Sequence, residues 1–204
     1  MTQSPGPLSR RDRQQQTRDA LIGAARAVFS EVGYHAAGVD RIAREAGFSK
    51  GAVYSNFEDK AALFLAVMDQ NLELAEFDLA GPFEHVAGPA STGQDTACRE
   101  GYPPGATQGF ALATLEFISS AARDERLAPR LHQRLEVLLG RYTEMARAAR
   151  ADGETLSASD VGTLLAALDQ GAGLILLAGD VLPAPEVFTL GMRRLVDPAR
   201  SAVE

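Results

Sequence analysis

Between Ser49 and Lys60 the chain sets Ser49, Lys50, Tyr54, Ser55, Asn56 and Lys60 beside the small residues Gly51 and Ala52. Hydroxyls, an amide, a phenol and two ammonium groups at this density form a surface of hydrogen-bonding groups. Such a set suits phosphate oxygens and base edges, and small neighbours let the backbone approach them. The pairings that break bonds are missing. His35, His85 and His132 are far apart and lack H-E-x-x-H spacing, and no P-loop or nucleophile elbow occurs. Gly171-x-Gly173 has no third glycine and no preceding strand, so it implies no dinucleotide site. Cys98 is the only cysteine, which excludes an intramolecular disulfide and a cysteine-cluster metal site. The expectation is no catalytic residue, no metal and no cofactor.

The elements that must carry these residues read as helices. From Thr17, Leu21, Ala25, Val28, Phe29 and Val32 recur on one face, and Gly33 stops the helix. A short helix is expected from Val39 to about Ala46, a break at Gly47-Phe48, a second short helix from Ser49, and a longer one opening at Lys60. Residues 81–105 hold five Gly and four Pro and read as a long loop. Helical spacing resumes from Thr107 to Arg123. It continues after Pro129 through Leu131, Leu135, Leu138, Leu139, Tyr142, Met145 and Ala149. It appears again in Val161, Leu164, Leu165, Leu168, Ala172, Ile175 and Leu176, and a last helix runs from Pro185 to Val196. No segment alternates convincingly with period two. The fold class is all-α.

The segment VDRIAREAGFSKGAVYSNF, Val39 to Phe57, has a small residue, Ala43, where two steeply crossing helices need one. Gly47 falls in the turn, where a positive φ suits glycine, and Ile42 and Val53 face each other across the pair. Ser49 can cap the second helix. These spacings describe a helix-turn-helix, although short helical hairpins in enzymes also satisfy them. The longer run from Gly33 to Leu63 resembles the N-terminal signature of tetracycline-repressor (TetR) family regulators. The matching positions are Val39, Ile42, Ala43, Ala46, Gly47, Ser49, Gly51, Val53, Tyr54, Phe57, Asp59 and Lys60, with Thr17 to Val32 as the preceding helix. Two positions depart from the pattern. Gly38 replaces the usual Thr or Ser, and Asn56 stands where His or Tyr is common.

That resemblance implies an N-terminal three-helix DNA-binding domain over 16–61, after a disordered basic arm over 1–15. A helical ligand-binding and dimerisation domain would follow over 62–204. The implied DNA contacts are Gly38, Val39, Ser49, Lys50, Gly51, Ala52, Tyr54, Ser55, Asn56 and Lys60. Lys50 and Ala52 would bear on sequence, with Ala52 able to touch a thymine methyl, and Tyr54 and Lys60 would bear on phosphates. Packing in the core is the other reading of Tyr54. Arg10, Arg11 and Arg13 form either an arm along DNA or a solvated basic tail.

In the body, Phe77, Phe110, Leu112, Phe117, Leu138, Tyr142 and Met145 are candidates to line a site for a small apolar or aromatic effector, though each taken singly reads first as plain core. Asp169 and Gln170, polar within an apolar helix, are candidates for a contact to ligand or across a dimer. The last two helices are expected to join two copies, because two reading heads match a palindromic operator of double-stranded DNA. The formal charge of −7 at first argues against nucleic acid. Residues 1–60, however, hold nine basic and seven acidic groups, which leaves eleven basic and twenty acidic ones for the rest. No apolar run approaches the ~20 residues of a membrane helix, and the N-terminus does not read as a secretory signal, so a cytoplasmic location is expected. The function implied is a transcriptional repressor released from its operator by ligand. An all-α enzyme and a small-molecule carrier without DNA binding are the alternatives.

Overall fold

A computed structural model describes residues 9–74, 106–150, 155–177 and 185–197. Among the described residues there are helices and no strand, as the periodicity indicates. The helices are α1 (Arg10–Ala36), α2 (Val39–Glu45), α3 (Lys50–Asn56), α4 (Lys60–Leu74), α5 (Ala106–Ala121), α6 (Ala128–Ala149), α7 (Ala158–Leu177) and α8 (Pro185–Val196). Phe77 and the whole of the loop expected over 81–105 lie outside the described residues.

The first helix begins at Arg10, well before the apolar face that marks it in sequence. Its start is set by a capping box. The Ser9 hydroxyl accepts from the Asp12 amide at 3.1 Å, and the Asp12 carboxylate accepts from the Ser9 amide at 3.0 Å. Residues 10–16 are all exposed, so no burial pattern betrays the helix there. The arm expected over 1–15 is therefore helical from Arg10 on, and residues 1–8 lie outside the described part. Gly33 interrupts α1 with a φ of 81° and turns Tyr34 into the core. A Cβ at Gly33 would sit 2.5 Å from a carboxylate oxygen of Glu116 on α5.

Two apolar cores follow. In the first, α1 to α4 close around Leu21, Phe29, Ile42, Val53, Leu63 and Phe64, and α5 adds Ala113 and Phe117. Its centre is aromatic: Phe64 meets Phe29, Tyr34, Phe110 and Phe117 with centroids 4.8, 5.1, 5.3 and 4.7 Å apart. Such pairs add about 0.5–1.5 kcal/mol each beyond the area they bury. The boundary expected after residue 61 thus falls inside a continuous core that ties α2 and α3 to α5. The second core lies between α6, α7 and α8, around Tyr142, Met145, Ala146, Val161, Leu165 and Met192. An ion pair braces α4 against α6, with Arg134 Nε and Nη2 donating to the two Asp69 oxygens at 3.1 and 2.9 Å.

Backbone meets backbone where α5 crosses α1. A Cβ on Gly109 would lie 2.0 Å from the Ser30 carbonyl oxygen, whereas nothing lies within 4 Å of one on Gly23. Gly109→Ala should lower stability by about 1–3 kcal/mol through overpacking, despite the better helix propensity of alanine. Gly23→Ala should instead raise it by about 0.5–1 kcal/mol. Urea unfolding of the two variants checks this, and a more stable Gly109→Ala protein would contradict the crossing.

Candidate nucleic-acid interface

The interface is built on α2, its turn and α3. α2 ends in a Schellman arrangement: the Phe48 amide donates to the Ala43 carbonyl at 2.8 Å and the Gly47 amide to that of Arg44 at 3.1 Å. Gly47 takes the φ of +75° that this ending requires. Ser49 then caps α3, its hydroxyl accepting from the Ala52 amide at 3.2 Å. Gly38 caps α2 with no side-chain bond, so the first amides of that helix rely on other partners. The inner faces close through Ile42, Ala43 and Val53, all nearly inaccessible, with Phe57 buried beneath the end of α3.

The outer face of α3 carries the donors singled out in sequence. Lys50, Gly51, Tyr54 and Ser55 are exposed, Ser49 is exposed beside them, and Ala52 and Asn56 are half-buried, as is Val39 at the start of α2. Tyr54 is 49% exposed, so it is not a core residue. Lys50 reaches back to α2, where its ammonium donates to Asp40 at 2.9 Å. That hydrogen bond, and then the negative charge of Asp40, hold the Lys50 pKa above the usual lysine value. Ser55 and Asn56 spend one donor each within the helix, on the Ala52 carbonyl at 2.9 and 2.8 Å.

Lys60 is placed differently from the rest. Its ammonium donates to the carbonyls of Tyr34, His35 and Ala37 at 2.9, 3.2 and 3.2 Å, and lies 4.6 Å from the Tyr34 ring centroid. An ammonium has three donors, and all three are used on the end of α1. Burial lowers the Lys60 pKa from its ordinary value, with nearby Glu116 acting in the opposite sense. In this arrangement Lys60 clamps α1 to α4 and has no N–H left for a phosphate, which differs from the backbone contact expected of it.

Three further residues shape the interface and have no local signal in the sequence. Arg18 on α1 donates to the Asn56 carbonyl at 2.9 Å and stacks 4.3 Å from the Phe57 ring centroid, so it caps the end of α3. Arg41 joins Glu31 on α1 and Glu45 on α2. Glu116 accepts from the His35 amide at 3.0 Å, and Ser120 meets the His35 ring at 3.1 Å, which links α5 to the end of α1.

The candidates for an effector site do not come together. Phe110 and Phe117 pack in the aromatic core with Phe64, while Leu138, Tyr142 and Met145 belong to the core between α6, α7 and α8. Leu112 is exposed on α5. Asp169 is buried against α6, accepting from the Tyr142 hydroxyl and from Gln170 Nε2, the latter at 2.9 Å, and Gln170 itself is exposed. Burial first, then the charge of Asp169, push the Tyr142 phenol far above its usual pKa. Among the described residues no group of three or more His, Cys, Asp or Glu side chains gathers to hold a metal ion. No helix there is long and apolar enough to cross a membrane.

Residues 21–67, from the first buried residue of α1 to the middle of α4, match the family described as bacterial regulatory proteins, tetR family. Over this stretch the chain is similar to TetR-family regulators. Over 56 residues it is 46% identical to the HTH-type transcriptional activator FasR of Mycolicibacterium smegmatis, covering 28% of this chain and 26% of that protein. Over 74 residues it is 35% identical to the A-factor receptor protein of Streptomyces griseus, covering 36% of this chain and 27% of that one. The matched stretch therefore spans about a quarter of the length of these two relatives. The fold likeness is wider: TylP, a TetR regulator from Streptomyces fradiae, superposes with a TM-score of 0.61 at 23% identity, over 92% of this chain and 81% of that one.

Lys60→Met should cost about 1–3 kcal/mol, because three carbonyls lose their charged donor. Lys50→Met, whose ion pair with Asp40 is exposed, should shift stability by at most about 0.5 kcal/mol. Denaturant midpoints of the two variants decide this, and equal shifts would remove the clamp from Lys60.

Proposed function

We propose that this chain is a DNA-binding transcriptional regulator that acts as a homodimer on a palindromic operator, with α3 as the helix that enters the major groove. The observation that carries this reading is the exposed outer face of α3, presented by a capped and tightly turned helix pair whose inner face is fully packed. Lys50, Ala52 and Ser55 face outward with Gly51 between them, and Tyr54 holds a free-standing phenol suited to a phosphate oxygen. Ser49 and Gly38 bring the amide ends of α3 and α2 to the same surface.

Dimerisation through α7 and α8 is supported by the apolar side chains these helices leave exposed, Leu164, Leu174 and Ile175 on α7 and Val187 and Leu190 on α8. A small apolar or aromatic effector that releases DNA, and hence repression, is the regulatory reading that the TetR resemblance favours. The relatives include an activator, FasR, so the sign of control is tested separately by reporter expression. The reading assigns no catalytic step and places the protein in the cytoplasm, with the chromosome.

Selection of duplexes from a random pool by the full chain should return a two-fold symmetric sequence, with half-sites about one helical turn apart or a multiple of that. On that duplex Tyr54→Phe should weaken binding about tenfold, by loss of one hydrogen bond to a charged oxygen, and Lys50→Glu should weaken it further. Both variants should unfold at the parent's temperature. A parent protein that enriches no sequence would overturn the regulator reading.

A further inference from the structure

A cleft of about 220 Å³ lies between the early turns of α1 and the end of α3, lined by Arg11, Gln14, Gln15, Arg18, Ser55 and Asn56. We propose that this cleft seats a phosphate of the DNA backbone, so that each protomer holds the duplex by α1 as well as by α3. The inference rests on the regulator reading above and adds to it a site outside the helix-turn-helix.

Every residue around the cleft is polar or cationic, and none is acidic. Among the described residues neither Arg11 nor Arg18 is paired with a carboxylate. Arg18 spends one N–H on the Asn56 carbonyl, and a guanidinium has five. Two uncompensated guanidinium groups bordering one space repel each other until an anion enters, and their fork geometry suits phosphate oxygens. The side-chain amide of Gln14 can complete the ligand set, while the Ser55 hydroxyl is committed to the Ala52 carbonyl at 2.9 Å and Gln15 Nε2 to Asp19 at 2.8 Å. At about 30 Å³ for each water, the space holds a phosphate group with several waters. An apolar effector would find no apolar wall there.

The site is also rigid. The capping box at Ser9 and Asp12 fixes the start of α1, and Arg18 anchors α1 to the last carbonyl of α3. A phosphate would therefore meet groups already in place, without the ordering cost that a loose arm would carry. Because Arg18 holds α3 as well as facing the cleft, Arg11 is the cleaner residue to change. It is exposed on a helix, where alanine is the best helix former.

The experiment measures affinity over a salt series for the parent, Arg11→Ala, Arg11→Lys and the body control Arg141→Ala. The probes are the duplex selected from the random pool and a scrambled duplex of the same length. Arg11→Ala should weaken binding about five- to tenfold near 0.1 M salt, equally on both duplexes. It should also flatten the log–log salt slope by about 2 for a dimer that loses one contact in each half-site. Arg11→Lys should recover most of the slope, and Arg141→Ala should match the parent. An unchanged slope in Arg11→Ala overturns the proposal while leaving the regulator reading standing. A loss confined to the selected duplex also overturns it, since that pattern belongs to base readout. A parent that binds neither duplex defeats both readings together.

Discussion

The geometry of the surface formed by α2 and α3 depends on one half-buried charge. The Lys60 ammonium gathers the carbonyls of Tyr34, His35 and Ala37, the acceptors that α1 leaves open as it ends, and covers the Tyr34 ring. Carbonyls at a helix end need donors, and the negative end of the helix dipole favours a cation there. By meeting that need from α4, the chain fixes the angle between α1 and α4, and so the frame on which α2 and α3 sit. The aromatic cluster around Phe64 fills the space behind it, and Arg18 performs the corresponding task at the other end, on the last turn of α3. Two cations on flanking helices thus hold α3, a helix of only seven residues with little intrinsic stability of its own.

What the sequence disclosed and what it concealed divide along the range of the interactions. Gly47, Ser49, Ala43 and Val53 act on neighbours within a few positions, so their spacing alone told of a turn, a cap, a close crossing and an inner face. The early start of α1 escaped that reading because it is set by a cap and solvent-facing residues, with no apolar period to mark it. Contacts that close over long chain separations left no local trace. Lys60 meets carbonyls 23 to 26 residues away, Arg18 meets a carbonyl 38 residues away, and Glu116 an amide 81 residues away. Phe110, Phe117, Tyr142 and Met145 stood at helical spacing that serves a core or a cavity alike, and only packing separates the two uses.

The two cores carry different duties. The first is shared by α1 to α5, so α2 and α3 cannot be displaced without disturbing α5. The second, between α6, α7 and α8, contains Asp169 and Tyr142 in mutual contact, a polar pair whose burial costs free energy unless both partners remain satisfied. Two braces join the cores: Asp69 with Arg134, and Asp59 with Arg130 at 3.6 Å, each binding a residue at or near α4 to α6.

The bare approach of Gly109 to Ser30 locks α5 against α1. The two helices pack along much of their length, so α5 cannot slide past this point without lifting away. Farther along the same helix, Glu116 and Ser120 grip the end of α1 by polar bonds that tolerate small reorientation. A displacement of α5 would therefore be felt, through Glu116, at the Gly33 joint where α1 turns toward α2.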